Sequence, residues 1–191
     1  CGRKAGDRRS ELSQEHVRLI RDAVGKKKWA DYAYCLIYTG FRPNEMLSLD
    51  VTQYDRENRC FIGGGKTDAG TNRIITISPK IQPIIDKLTD GKTSGPIFCR
   101  NDGTAMTGKC FREECFYPLL DGLGIDNPKD GPNGARRYTP YSCRHTFATL
   151  LKSVNAPDED KLELMGHTSA EMLRHYQHVN LDDLRNITDQ I

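Results

Sequence analysis

Residues 59–77 read RCFIGGGKTDAGTNRIITI. The two ends, Arg59-Cys60-Phe61-Ile62 and Arg73-Ile74-Ile75-Thr76-Ile77, are short and rich in β-branched and aromatic side chains. A Gly-rich polar loop separates them, which is the composition of a hairpin or small antiparallel sheet. The flanks follow a helical period instead. Ser13, with Glu15 in the first turn, opens a helix whose Val17, Ile20, Ala23 and Val24 share one face. A second helix runs from about Trp29 to Thr39 and ends at Gly40, and Pro43 starts a short third through Leu47 and Leu49.

Downstream, Ser78-Pro79 reads as a cap and first-position proline for a helix through Ile81, Ile84, Ile85 and Leu88. Pro96-Ile97-Phe98-Cys99 reads as one more short strand. Thr107 caps a longer helix carrying Phe111, Leu119, Leu120 and Leu123. Residues 124–140 hold Gly/Asn turns with Pro128, Pro132 and Pro140, a long loop of the kind that tends to be functional. Four helical segments follow, at about 142–153, 157–165, 169–178 and 181–188. The expectation is one α+β domain, mostly helical, with a small antiparallel sheet near the front.

The 191 residues suit one domain with a proper core. No apolar run comes near the ~18 residues of a membrane helix, so no membrane partner is expected. The chain opens on Cys1 with no signal-peptide pattern, and it is expected to be a piece of a longer protein. Net charge is +2, but it is unevenly spread. Residues 1–30 hold nine Lys/Arg against four acids, and residues 155–191 hold three against eight. A basic stretch can face phosphate and an acidic tail can pack on a basic surface, although two solvated faces would look the same. The seven cysteines are scattered without a CxxC, the usage of a reduced, cytoplasmic protein. Cys110 and Cys115 with His175 and His178 are too poorly spaced for zinc, so no metal is expected.

Chemistry-bearing residues gather where loops meet helices. Gly63-Gly64-Gly65-Lys66-Thr67 is not a phosphate loop, because Cys60 stands where that pattern needs glycine and a strand follows, not a helix. Lys66 is better read as a point charge at a hairpin tip. Arg42 opens a helix in an apolar neighbourhood with Glu45 three residues on, where a simple Arg42–Glu45 ion pair is the plain alternative. Tyr141-Ser142-Cys143-Arg144-His145 likewise precedes the apolar Phe147-Ala148-Thr149-Leu150-Leu151. In Leu164-Met165-Gly166-His167-Thr168, His167 stands nine residues before Tyr176.

Together, Thr39-Gly40-Phe41-Arg42-Pro43-Asn44-Glu45, Lys66, Tyr141 through Thr149, and Met165-Gly166-His167 through His175-Tyr176 resemble the tyrosine recombinases, the phage-integrase family. They stand in that family's order over about residues 10–188. The resemblance implies DNA strand cleavage by a tyrosine, giving a 3′-phosphotyrosyl bond and a free 5′-hydroxyl. It assigns Arg42 and Arg144 to clamp the phosphate oxygens, a task suited to planar, permanently charged guanidinium groups. It assigns His167 to donate to the same phosphate, Lys66 to protonate the leaving oxygen, and Tyr176 to attack. The phosphotyrosine keeps the bond energy, so neither ATP nor a metal cofactor is implied.

One position departs from the pattern. Three residues before Arg144 the family usually has histidine, and here stands Tyr141, a poorer base at neutral pH. Glu45 is expected to orient Arg42, and His145 to support the site without reacting. Taken singly, Tyr176 reads more readily as a core tyrosine at a helix end than as a nucleophile, and His167 can be read as a cation beside a helix C-cap.

The likeness also implies partners. Residues 1–10 read as a basic interdomain linker leading into a catalytic domain at 11–191, with the family's N-terminal DNA-binding domain outside this chain. Arg3, Lys4, Arg8, Arg9, Lys26, Lys27 and Lys28 are expected to contact phosphates of double-stranded DNA. The apolar Leu181, Leu184 and Ile187 of the acidic tail suggest a terminal helix that docks on a neighbouring protomer. A homo-tetramer on DNA and a free monomer are expected. A catalytically impaired DNA-binding module is one competing reading. A helix-turn-helix regulator is another, weakened by Glu171, Met172 and Leu173 where a basic recognition helix would lie.

Overall fold

The computed structural model describes residues 10–63, 74–130, 134–166 and 181–191. Helix α1 (Gln14–Ala23) starts where the Ser13 hydroxyl accepts the His16 N–H at 3.1 Å, and it buries Ile20 and Ala23. Helix α2 (Ala30–Thr39) is apolar on every side and is the core element, with Ala33, Cys35, Leu36 and Ile37 wholly enclosed. Gly40 ends α2 in the left-handed region, at φ 63°. A Cβ at this position would lie 2.1 Å from Cδ1 of Phe147, so glycine is required by backbone and packing together. The short α3 (Pro43–Leu47) follows at once.

The strands are β1 (Tyr54–Asp55), β2 (Cys60–Ile62) and β3 (Ile74–Thr76), in antiparallel order β1-β2-β3. Phe61 pairs with both Tyr54 and Ile75, which turns Phe61 and Ile75 into the core. The expected two strands are present and β1 adds a third. Its two residues are too short to show a period in the sequence.

Helix α4 (Gln82–Thr89) starts one turn later than its proline signal suggests. The Ser78 carbonyl accepts the N–H groups of Ile81 and Gln82, so Ser78-Pro79 builds a turn ahead of the helix. The expected strand at Pro96–Cys99 is also corrected: isolated bridges join Asp50 to Pro96 and Cys99 to Ala105, with no ladder between them. The Thr107 hydroxyl does cap α5 (Gly108–Cys110), accepting from Cys110 at 3.2 Å. A π-helical turn at Phe111–Phe116 then leads into α6 (Tyr117–Gly122). Pro118 stands just after that turn and cannot donate to a regular ladder, which the widened i to i−5 bond from Tyr117 to Arg112 accommodates.

Helix α7 (Pro140–Lys152) begins at its proline, two residues before the sequence-based start, and packs along α2. Helices α8 (Asp158–Met165) and α9 (Leu181–Thr188) complete the described fold. The expectation that the terminal helix packs on a neighbour is corrected. Leu184, Ile187 and Ile191 are buried within their own chain, where α9 lies on β3 and α8. Thr76 Oγ1 donates to the Leu184 carbonyl at 3.1 Å, and Arg59 grips the Asp189 carboxylate at 2.9 and 3.0 Å. The apolar stripe of α9 thus covers the face of the sheet opposite Phe61 and Ile75, where Cys60 and Thr76 are buried. Among the described residues no helix is long and apolar enough to cross a membrane, and no cluster of His, Cys, Asp and Glu is placed to hold a metal.

Candidate functional site

Three segments far apart in the chain meet at one side chain, Arg144. It lies in the first turns of α7, which Thr139 and Pro140 start; the Thr139 N–H donates to Ser142 Oγ at 3.1 Å. Arg144 is 6 % exposed. Its Nη1 donates to the Gly40 carbonyl at 2.5 Å, at the end of α2, and its Nη2 donates to the Met165 carbonyl, at the end of α8. Gly166, left-handed at φ 61°, closes α8 immediately before His167. Arg144 therefore ties the Gly40–Arg42 turn to the Met165–Gly166 turn.

Arg42 is the N-cap residue of α3. Glu45 holds it twice, accepting the Arg42 backbone N–H at 2.9 Å and its Nη1 at 2.5 Å. The Arg42 side chain stays 42 % exposed and the Glu45 side chain only 18 %, so the guanidinium faces outward from a carboxylate anchor. Burial pushes the pKa of Arg144 down, the positive charge of Arg42 pushes it further, and Glu45 and Tyr141 oppose the shift. Two guanidinium groups close enough to perturb each other, against one carboxylate, form a cationic site suited to an oxyanion such as a phosphate diester.

Tyr141, 37 % exposed, lies one turn before Arg144 on α7, and exposed His145 follows one turn after Tyr141. Cys143, between them in sequence, is wholly buried and its thiol is pushed well up by desolvation, which leaves it inert. Lys66, His167 and Tyr176 lie outside the described residues, as do Arg3, Lys4, Arg8, Arg9, His175 and His178.

The structure does not bring Lys26, Lys27 and Lys28 to the arginines. They occupy the α1–α2 turn, at the far end of α2 from Gly40, ~15 Å away along a ten-residue helix. Lys27 Nζ donates to the Gly122 carbonyl at 2.5 Å, and Lys28 Nζ lies 4.8 Å from the centre of the Trp29 ring. Sequence reasoning missed the two carbonyls that hold Arg144, because main-chain acceptors carry no residue signature. It also missed Phe147 as the wall against Gly40; an apolar residue in a helix gives no sign of which turn it will face.

The sequence model of the phage integrase family matches residues 10–182. The chain belongs to the phage integrase family. Among its relatives within the family, the tyrosine recombinase XerA of Saccharolobus solfataricus is 30 % identical over 179 residues, covering 92 % of this chain and 54 % of XerA. The tyrosine recombinase XerH of Campylobacter jejuni is 24 % identical over 186 residues, covering 91 % of this chain and 49 % of XerH. The chain thus spans about half the length of these curated relatives. Among solved structures, the Tn1549 transposon integrase in complex with transposon right end DNA superposes with a TM-score of 0.68 at 21 % identity, over 95 % of this chain and 66 % of that one. The integrase of mycobacterium phage Brujita gives 0.70 at 14 % identity, over 100 % and 60 %. These likenesses establish the integrase catalytic-domain fold: helices around a small antiparallel sheet.

Proposed function

We propose that this chain is the catalytic domain of a site-specific DNA recombinase, with residues 1–10 as its linker and 11–191 as the domain. Strands would be cut and rejoined through a 3′-phosphotyrosyl intermediate. The observation that carries the reading is the convergence of Arg42 and Arg144 beside the Met165–Gly166 turn that leads to His167. In this mechanism the Tyr176 oxygen attacks the phosphorus and the 5′-oxygen leaves with a proton from Lys66. The negative charge that builds on the non-bridging oxygens falls to Arg42, Arg144 and His167. Glu45 orients Arg42, and His145 supports the start of α7. Bond energy is conserved in the phosphotyrosine, so rejoining needs neither ATP nor a metal.

The partner is double-stranded DNA, with a homo-tetramer as the synaptic form and a monomer when free. A role in mobile-element integration is the finer reading. It is favoured by structural neighbours that come from a transposon and a phage. The second reading, a DNA-binding module of the same fold with impaired chemistry, is favoured by Tyr141 standing where the family usually has histidine.

One experiment separates the two. A nicked suicide duplex carrying the element's own end sequence is incubated without divalent metal and quenched in detergent, with Tyr176→Phe alongside. A covalent protein–DNA band that the variant lacks supports transesterification. Binding without a band, in this chain and in the longer protein, supports the binding module.

A further inference from the structure

The turn at the far end of α2 carries a second concentration of positive charge. A cleft of about 270 Å³ opens there, lined by Lys26, Lys27, Lys28 and Trp29 of the turn, Asp31 of α2 and Lys87 from the last turn of α4. All four lysines are exposed, and none pairs with a carboxylate among the described residues. Asp31 accepts the Gly25 N–H at 2.9 Å and keeps its charge, so the lining sets four ammonium groups against one carboxylate. The net positive charge of that lining favours an anion in the cleft.

The cleft is also held in shape. Lys27 is tied to the Gly122 carbonyl, which docks the turn on α6. Trp29 adopts φ 70°, an unusual backbone for a bulky residue. Its half-buried indole packs edge-on against Tyr32, with ring centres 5.3 Å apart, and the Lys28 ammonium caps it. An indole beside several lysines offers what a phosphodiester strand needs, charge for its phosphates and an aromatic surface for a base. An acidic peptide would use the charge and leave the ring idle.

We propose that this cleft is a second nucleic-acid site, distinct from the Arg42–Arg144 site, in which Lys26, Lys28 and Lys87 hold backbone phosphates beside Trp29. The proposal rests on the nucleic-acid partner inferred above and needs no tyrosine chemistry. A duplex and an unpaired strand offer the same phosphates, so both are tested.

Trp29 is the only tryptophan in the chain, so its emission reports on this cleft directly. The 191-residue chain is titrated with a short oligothymidine strand and with a short hairpin duplex. The same titrations are run on Lys26→Gln/Lys28→Gln/Lys87→Gln, which leaves Lys27 on Gly122, and on Arg42→Ala. Circular dichroism checks that the triple variant folds. A saturable Trp29 response is expected, weakened roughly tenfold in the triple variant, with the log–log salt slope shallower by about 2–3. The response should persist in Arg42→Ala. A response to both nucleic acids assigns the cleft to backbone alone, and a response to oligothymidine only assigns it to an unpaired strand.

The proposal is overturned by an absent response, by one that the triple variant leaves unchanged, or by one lost with Arg42→Ala. A signal that follows protein concentration alone would mark self-association and overturn it as well. A suicide duplex that yields no covalent product would count against the recombinase reading and leave the Trp29 result standing.

Discussion

Replacing Gly40 with alanine adds one methyl group at the point where α2, α7 and the arginine site meet. Two costs follow from the geometry. The residue sits at φ 63°, where an L side chain loses about 1–2 kcal/mol. The new Cβ would fall 2.1 Å from Cδ1 and 2.6 Å from Cε1 of Phe147. Phe147 is 1 % exposed and belongs to the core, so relief by shifting the ring or parting α2 from α7 carries an overpacking cost of about 1–3 kcal/mol. Together Gly40→Ala should lose about 2–5 kcal/mol, a large part of the ~5–15 kcal/mol typical of a domain. Urea denaturation followed by circular dichroism measures it. The packing share has its own check, since Phe147→Ala removes the obstructing ring. The double variant should therefore fall short of additivity by about 1–3 kcal/mol, leaving only the backbone cost of alanine. A single-variant loss under about 1 kcal/mol, or strict additivity, would refute the argument that the glycine is there to admit the ring.

Other expectations test the same framework. Arg144→Lys keeps the charge but cannot span the Gly40 and Met165 carbonyls with one ammonium, so it should destabilise by about 2–4 kcal/mol; a thermal melt unchanged from the parent would show that the bridge carries no structural weight. Leu184→Ala should cost about 2–5 kcal/mol in dilute, monomeric protein, because α9 closes its own chain's core; an effect seen only on assembly would restore the neighbour-docking expectation. Burial lowers the pKa of His16, with Glu15 opposing more weakly, and its Nδ1 is enclosed without a hydrogen-bond partner. The neutral ring is therefore favoured in the folded state, and the unfolded chain takes up the proton first. Its contribution is complete above about pH 6.5 and is lost as pH falls towards the lower folded value. The difference in melting temperature between pH 8 and pH 5.5 should shrink in His16→Phe, whose ring keeps the edge contact to Tyr138, and an unchanged difference would exclude His16 as a source.

Periodicity and punctuation made much of the fold readable. The Ser13 cap, the apolar α2, the stop at Gly40 and the start at Pro43 are local choices, in which backbone sterics and a few neighbouring residues settle the outcome, and each appears where the sequence placed it. The errors arose where tertiary contacts override local signals. Ser78-Pro79 has the composition of a helix start, yet the chain turns once more before α4. Pro96–Cys99 has strand composition but meets no continuous partner, only single bridges to Asp50 and Ala105.

The candidate site divides in the same way. The order of Arg42, Glu45, Tyr141 and Arg144 along the chain, and the resemblance it supports, were determined by the sequence alone. That one guanidinium would bridge residues 40 and 165, that Glu45 would hold Arg42 by backbone and side chain together, and that Lys26–Lys28 would lie at the opposite end of α2 were decided only by the tertiary structure. The apolar stripe of α9 was visible in the sequence, but whether it would cover its own sheet or another copy was not, since spacing specifies a face and packing specifies what meets it.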